Sequence, residues 1–262
     1  MTAPDGYVEV RAVGGRGFAR ATAAQWIEET LGRWGTLARA AVHDPDAIEL
    51  QGRGVVRAVP SPPGATDGRW VVRRYLRGGW AAPILHDRYL RQGPSRPLTE
   101  ARASDAARER GIPTPRVQAG VTYATGLMWY RADLVTTFVP DSVDLADLLF
   151  HDRMPTSRQP PTDAQRVKAI SLAAGLARRL ADSGIYHPDL NAKNFLIVGE
   201  GSSMDAHVLD LDRARVLADT APLAPMAARL TRSLRKFETV TGAALGEDVW
   251  DAFRDTIGAV DE

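Results

Sequence analysis

Asp189 and Asn194 lie in YHPDLNAKNFLIV (186–198), and Asp210 lies in VLDLDRAR (208–215). Each stands beside a run of Leu, Ile, Val or Phe, although ionised carboxylates are rarely buried without a partner. The pattern predicts a positive group between them, and a metal ion suits oxygen donors of this kind. Phosphoryl transfer needs such a set: a carboxylate near the acceptor hydroxyl, oxygen ligands for Mg²⁺ on the phosphates, and a further cation against the phosphates. His187-x-Asp189-x₄-Asn194 has the spacing of a kinase catalytic loop, with Asp189 meeting the substrate hydroxyl and Asn194 holding metal. Asp210, at the end of an apolar strand, is the expected second metal ligand. A polar turn with capping Asp and Asn is the plainer reading, and the later strand-borne Asp argues against it.

The elements that must position these residues follow from periodicity. From residue 143 the pattern is helical, first over VDLADLLF and then from Asp163 to Ser183, where Val167, Ile170, Ala174, Ala177 and Ala181 share one face. Thr162 or Asp163 caps the start of that helix and Gly184 ends it. NFLIV and HVLDL, separated by GEGSS, read as a hairpin flanking Asn194 and Asp210. The stretch 223–258 reads as two helices. Before residue 143, the runs at 47–50, 55–59, 70–76, 120–124 and 132–139 are short and β-rich, as in an antiparallel meander. A helix over 98–110 interrupts them and stops at Gly111, Pro113 and Pro115. Residues 21–42 read as a leading helix, PSPPG (60–64) as a hairpin loop and RQPPT (158–162) as a linker. The expected plan is α+β and bilobal, with an N-terminal extension (1–46), an antiparallel-sheet N-lobe (47–142) and a helical C-lobe (143–262).

Bulk properties narrow the function classes. A chain of 262 residues with 44% hydrophobic and 25% charged residues can bury a sizeable core. Lys+Arg 33 against Asp+Glu 32 gives a net charge of +1, which argues against a nucleic-acid binder. The absence of cysteine removes disulfides, thiolate zinc sites and cysteine nucleophiles. The five histidines lack ligand spacing. No early apolar block and no bilayer-length apolar run occurs, so a cytoplasmic protein, peripheral at most on the cytoplasmic face of the inner membrane, is expected.

The motifs also resemble a family. GRG (52–54), VVRRYLRGG (71–79), HDRYL (86–90), Glu100, GIPTPRV (111–117), YRADLVT (130–136), YHPDLNAKN (186–194) and LDLDRAR (209–215) together resemble the 3-deoxy-D-manno-octulosonic acid (Kdo) kinases and related lipopolysaccharide core heptose kinases. The resemblance implies a protein-kinase-like fold that uses ATP to phosphorylate an inner-core sugar, with lipid A–Kdo or a related glycolipid as acceptor. It implies Asp189 as catalytic base and Asn194 and Asp210 as Mg²⁺ ligands, with Asp212, two residues on along the same strand face, as the rival to Asp210. Arg73 falls where kinases carry the phosphate-binding Lys of the third strand, and Glu100 is its ion-pair partner. Arg is always charged and forks onto phosphate, and Arg74 is the neighbour that would replace it. Gly52 and Gly54 bracket a turn that either only reverses the chain or brings backbone N–H groups to phosphate. His187 reads as a packed, backbone-bonded histidine rather than a proton carrier.

Pro188 occupies the position where many protein kinases carry an Arg that binds a phosphorylated activation loop, so control by that route is not expected. No Ala-Pro-Glu segment follows Asp210, and about fifty residues are too few for a peptide-binding half lobe. Residues 73–97 hold six arginines against one acid, Asp87, with Tyr75, Trp80 and Tyr89 between them. Such a segment either contacts an anionic membrane surface and the acceptor's acidic groups or is a solvated connection. Two rival functions remain at this level: a phosphotransferase for a soluble sugar or aminoglycoside, and a pseudokinase that binds nucleotide or lipid without turnover.

Overall fold

The computed structural model of the protein describes residues 3–50, 56–76, 87–150 and 160–258. The chain divides into two compact units, Met1–Arg102 with Arg116–Phe138, and Ala103–Pro115 with Val139–Glu262.

The first unit is built on one antiparallel sheet. Its described strands are β1 (Val8–Ala12), β2 (Gly15–Ala19), β3 (Ile48–Glu49), β4 (Val56–Pro60), β5 (Arg69–Arg74), β6 (Tyr89–Leu90), β7 (Val117–Ala124) and β8 (Trp129–Thr137). They run in the order β1-β2-β7-β8-β5-β4-β3, with β6 added against β8. Residues 3–46, read as an N-terminal extension with a helix, supply β1, β2 and two helices, α1 (Ala21–Trp34) and α2 (Leu37–His43), to this unit. The reason is local. A Cβ at Gly17 would lie 2.0 Å from the Gly120 carbonyl oxygen, and one at Gly120 would lie 2.6 Å from the Phe18 ring, so two glycines let β2 seat on β7. The leading helix breaks at Gly35, where φ is 74°, and Thr36 caps α2 by accepting the Arg39 N–H at 3.2 Å.

Strand alternation sorts the sheet's side chains into two cores. Trp70, Val72 and Val135 pack with Ile27 and Leu31 of α1 and Leu37 of α2. Tyr75, Leu134 and Phe18 pack on the opposite face with Leu98 and Ala101 of α3 (Arg96–Glu109). A bulge between Val117 and Ala119 puts these two residues in opposite cores, although two residues apart would ordinarily share a face.

Among the described charges of this unit, one is fully enclosed by this packing. Asp133 of β8 is fully buried. Its Oδ1 accepts from Arg74 Nε at 3.0 Å, and its Oδ2 accepts the Ala38 N–H and the Tyr123 hydroxyl, each at 2.9 Å. Burial works against the Arg74 charge, but the Asp133 carboxylate outweighs it and holds the guanidinium above its ordinary value. Burial and then Asp133 push the Tyr123 hydroxyl well up, so it stays a neutral donor. The group fastens the N-terminus of α2 to the sheet.

The second unit is helical around a small sheet. Helix α4 (Leu145–Phe150), α5 (Asp163–Asp182), α6 (Leu223–Thr241) and α7 (Glu247–Ile257) surround β9 (Ser142–Asp144), β11 (Phe195–Val198) and β12 (Asp205–Val208), which pair as β12-β11-β9. A separate two-residue pair joins β10 (Ile185–Tyr186) to β13 (Arg215–Val216). Helix α5 begins at a Thr162/Gln165 capping box and buries Ile170, Ala173, Ala177 and Leu180 along one stripe. Each such Leu or Ile contributes about 1.5–3 kcal/mol on burial. The chain turns out of α5 at Gly184, where φ is 68° and a Cβ would lie 2.2 Å from the Asp219 carbonyl oxygen. The strand-rich unit and the helical unit together are the expected α+β plan.

Asp133→Ala is expected to cost about 3–5 kcal/mol in urea unfolding, because it leaves Arg74 and the α2 N-terminus without their buried partner. A loss below about 1 kcal/mol would mean that water replaces the carboxylate at no cost.

Candidate active site

The loop from β10 to β11 and the loop from β12 to β13 are joined at both ends. Tyr186 pairs with Arg215 at one end and Phe195 with Val208 at the other. Leu209 closes the interval. Its N–H donates to the Asn194 carbonyl at 2.7 Å, and its own carbonyl accepts from His187 Nε2 at 3.3 Å. A carbonyl only accepts, so His187 carries its proton on Nε2. The ring is 1% exposed, and Nδ1 is buried without a partner among the described residues. Burial holds the His187 pKa below its ordinary value, against the Leu209 bond and the nearby carboxylates Asp210, Asp189 and Asp212. His187 is therefore a neutral strut that ties the two loops together.

Asp189 projects from this frame, its side chain 47% exposed. Arg229 of α6 donates to it twice, from Nη2 at 2.8 Å and Nε at 3.1 Å, and both bonds land on Oδ1. Oδ2 receives no hydrogen bond from the described residues. The backbone on either side is fixed by two asparagines. Asn191 Nδ2 donates to the Asp189 carbonyl at 2.9 Å, and its Oδ1 accepts the Lys193 N–H at 3.0 Å. Asn194 Oδ1 accepts the Asn191 N–H at 2.9 Å, which completes a reciprocal cap on the 3₁₀ turn Ala192–Asn194. Ser233 of α6 accepts the Ala192 N–H at 3.2 Å.

Asp210 and Asp212 are not on a strand, contrary to the expectation that they share a strand face. Strand β12 ends at Val208, and Asp210 turns the chain into the 3₁₀ segment Leu211–Arg213 with φ 61° and ψ 52°. A non-glycine residue in this left-handed region carries backbone strain of a kind that gathers at functional sites. Asp210 is exposed and Asp212 half-buried. Among the described residues no three His, Cys, Asp or Glu side chains converge as a metal nest. Mg²⁺ in phosphate chemistry takes only one or two protein carboxylates and completes its shell with phosphate oxygens and water. The amide oxygen of Asn194, with its second lone pair, and the Asp210 carboxylate are hard donors that fit such an ion.

Lys193 went unassigned in the sequence. Its Nζ reaches Asp147 Oδ1 at 3.2 Å and Asp144 Oδ2 at 3.3 Å, linking the catalytic-loop turn to the start of α4. Burial and then Asp147 raise the Asp144 pKa, against its bond to the Asp147 N–H and the Lys193 charge.

In the first unit, Arg73 and Arg74 point to opposite faces of β5. Arg74 goes to Asp133. Arg73 Nη2 lies 2.5 Å from both oxygens of Glu100 on α3, and the Tyr75 hydroxyl donates to the same carboxylate. Glu100 is buried, and Arg73 also lies over the Tyr75 ring at 4.7 Å. Gly52, Gly54, Arg77 and Trp80 lie outside the described residues. Asp87, the one acid of the arginine segment, is paired with Arg131 at 2.8 Å. A cavity of about 440 Å³ lined by Trp26, Trp34, His43 and their neighbours on α1 and α2 contains none of the predicted site residues. No helix among the described residues is long and apolar enough to cross a membrane.

Acid should loosen the His187 strut. Its pKa is lower in the folded chain than its ordinary 6.5, so the unfolded chain takes the proton first and stability falls as pH drops through and below 6.5. Thermal melts between about pH 7.5 and about pH 5.5 should show a larger fall in Tm for the wild type than for His187→Gln, which keeps an N–H donor and does not titrate in that window. Equal falls would mean that His187 is not the group responsible.

Residues 45–241 match the model of the "Lipopolysaccharide kinase (Kdo/WaaP) family". A 3-deoxy-D-manno-octulosonic acid kinase of Stenotrophomonas maltophilia (strain R551-3) is 33% identical over 206 residues, which are 78% of this chain and 72% of that one. The enzyme of the same name from Xanthomonas oryzae pv. oryzae (strain PXO99A) is 33% identical over 219 residues, 82% of this chain and 76% of its own. Among solved structures, a WaaP in complex with acyl carrier protein superposes with a TM-score of 0.49 and 19% identity, over 86% of this chain and 83% of that one.

Proposed function

Because the chain belongs to the lipopolysaccharide kinase (Kdo/WaaP) family, we propose that it transfers the γ-phosphate of ATP to a hydroxyl of an inner-core lipopolysaccharide sugar, the acceptor being Kdo in a lipid A–Kdo glycolipid. Family membership makes the protein a phosphotransferase with an alcohol acceptor and its α+β fold kinase-like. The acceptor follows from the name its relatives carry. The observation that carries the reading is the Leu209 closure, which holds the backbones of Asp189, Asn194 and Asp210 in one bonded frame while leaving the Asp189 carboxylate half exposed.

In this reading Asp189 Oδ2 accepts the proton of the acceptor hydroxyl as its oxygen bonds to the γ-phosphorus. The bond from that phosphorus to the β,γ-bridging oxygen breaks, and ADP leaves with the electron pair. Arg229 holds the Asp189 carboxylate turned by donating to Oδ1 alone. Asn194 and Asp210 are the residues that would hold Mg²⁺, and the strain at Asp210 favours it over Asp212. Such an ion, when bound, neutralises the charge on the phosphates. Arg73, steadied by buried Glu100, is assigned to phosphate, and its partner sets which way the guanidinium fork faces.

With ATP and Kdo–lipid A as substrates, Asp189→Asn should lower kcat by about 10²-fold or more and leave ATP binding near wild type, as for a positioned acid–base group. Near-normal turnover would remove Asp189 from the mechanism. Asp210→Ala should raise the Mg²⁺ concentration needed for half-maximal rate, whereas Asp212→Ala should not; the reverse result would exchange their roles.

The two adjacent arginines separate function from folding. Arg73→Ala should raise the KM for ATP with little change in the urea midpoint of the first unit. Arg74→Ala should lower that midpoint, because it abandons Asp133, and leave the KM alone. Arg73→Lys should recover part of the loss, since a point charge replaces a fork.

A further inference from the structure

Three large apolar side chains stand exposed at one end of the first unit's sheet: Val13 at 92%, Leu127 at 95% and Met128 at 61%. Val13 is in the turn between β1 and β2, and Leu127 and Met128 are in the turn between β7 and β8. The strand registers place both turns together, since Gly15 pairs with Tyr123 and Tyr123 pairs with Arg131. Strand β6 ends there as well: Leu90 pairs with Trp129, and the Arg91 N–H donates to the Met128 carbonyl at 2.8 Å. Beyond Tyr123 the chain runs on to Thr125, whose N–H bonds the Trp129 carbonyl at 3.0 Å, before it turns. The Leu127–Met128 turn thus reaches roughly 7 Å past the neighbouring hairpin, at about 3.4 Å per strand residue.

Turns at the ends of strands ordinarily carry Gly, Asn, Asp or Ser. Leu and Met there give up water contact to no core, so the fold itself does not account for them. The strand and turn segments around them are basic, although the Glu28 carboxylate of α1 accepts the Arg11 N–H at 3.3 Å. The segments that meet at this end, 10–17, 88–93 and 121–131, contain five arginines and no Asp or Glu. Glu9 neutralises Arg11 and Asp87 neutralises Arg131, each at 2.8 Å. Arg16 and Arg91 remain exposed beside the apolar turns.

We infer that this end of the sheet docks on an anionic lipid bilayer, with Leu127 and Met128 entering the boundary between headgroups and acyl chains and Arg16 and Arg91 meeting lipid phosphates. An apolar insertion of this size reaches about 5–10 Å and is weak alone, so binding needs the basic collar as a second signal. Guanidinium groups are well matched to phosphate oxygens. The surface differs from the longer arginine segment singled out in the sequence: most of its apolar contact comes from the β7–β8 turn. The inference does not require the kinase reading, and its test uses no nucleotide.

The full chain is floated with vesicles of phosphatidylcholine alone and of phosphatidylcholine with phosphatidylglycerol. Wild type should float with the anionic vesicles and not with the neutral ones. Leu127→Glu with Met128→Glu should weaken that binding at least about tenfold, and Arg16→Gln with Arg91→Gln about 30-fold at low salt, the scale expected for two interfacial charges. The exposure of all four side chains predicts unchanged thermal melts; should the Glu pair unfold the protein, Leu127→Ser with Met128→Ser is measured instead. The inference is overturned if wild type ignores anionic vesicles, binds neutral ones equally, or loses nothing in either double variant. It is equally overturned if the apolar turns prove to join two copies, seen as a dimer in sedimentation that Leu127→Glu with Met128→Glu dissolves.

Discussion

Leu209 is bonded at both sides of its residue, donating its N–H to Asn194 and accepting the His187 ring proton at its carbonyl. Every other feature of the second unit's site depends on that tie. An unpaired buried backbone group costs about 1–3 kcal/mol, so the two loops hold each other in register or leave such groups bare. The tie is made by backbone and a neutral ring rather than by the carboxylates of the loops. The Asp189 side chain is 47% exposed and Asp210 is exposed. Arg229 then restrains Asp189 through one oxygen only.

The first unit solves a related problem by strand alternation. Arg73 and Arg74 are adjacent, so β5 sends one to each face. Arg74 meets Asp133 in the core under α2, where the pair is part of the architecture. Arg73 meets the buried Glu100 of α3 on the opposite face, and the two guanidinium side chains are about equally exposed, at 24% and 22%. Identical residue types thus acquire different partners from a one-residue step along the chain.

Much of this was legible in the sequence, because local spacing carried it. The Asp189–Asn194 interval, the β11–β12 hairpin, the capped start of α5 and its stop at Gly184 are all set by residues within one turn or one strand of each other. The Arg73–Glu100 contact was also readable, through the family resemblance. What escaped depends on distant partners. Arg229 lies 40 positions from Asp189 and looks like any solvated arginine on an amphipathic helix. Asp133 sits in an ordinary strand pattern, and its acceptor role appears only when Arg74, Ala38 and Tyr123 are brought to it. The β1–β2 hairpin did leave a signal, since VEVRAVGG alternates and then turns, but its incorporation into the sheet rests on the Gly17–Gly120 approach. Asp210 and Asp212 looked like strand neighbours because nothing local announces a left-handed residue at an Asp.

We propose above all that this frame moves phosphate from ATP to a Kdo hydroxyl. The most direct test is the product: wild-type protein with Mg²⁺, ATP and Kdo–lipid A, followed by mass spectrometry and phosphorus NMR of the glycolipid. The expected result is one added phosphate, bonded as a monoester to the Kdo ring, with ADP formed in equal amount. ADP formation with an unmodified glycolipid, or phosphate found only on a soluble sugar offered in competition, would contradict it.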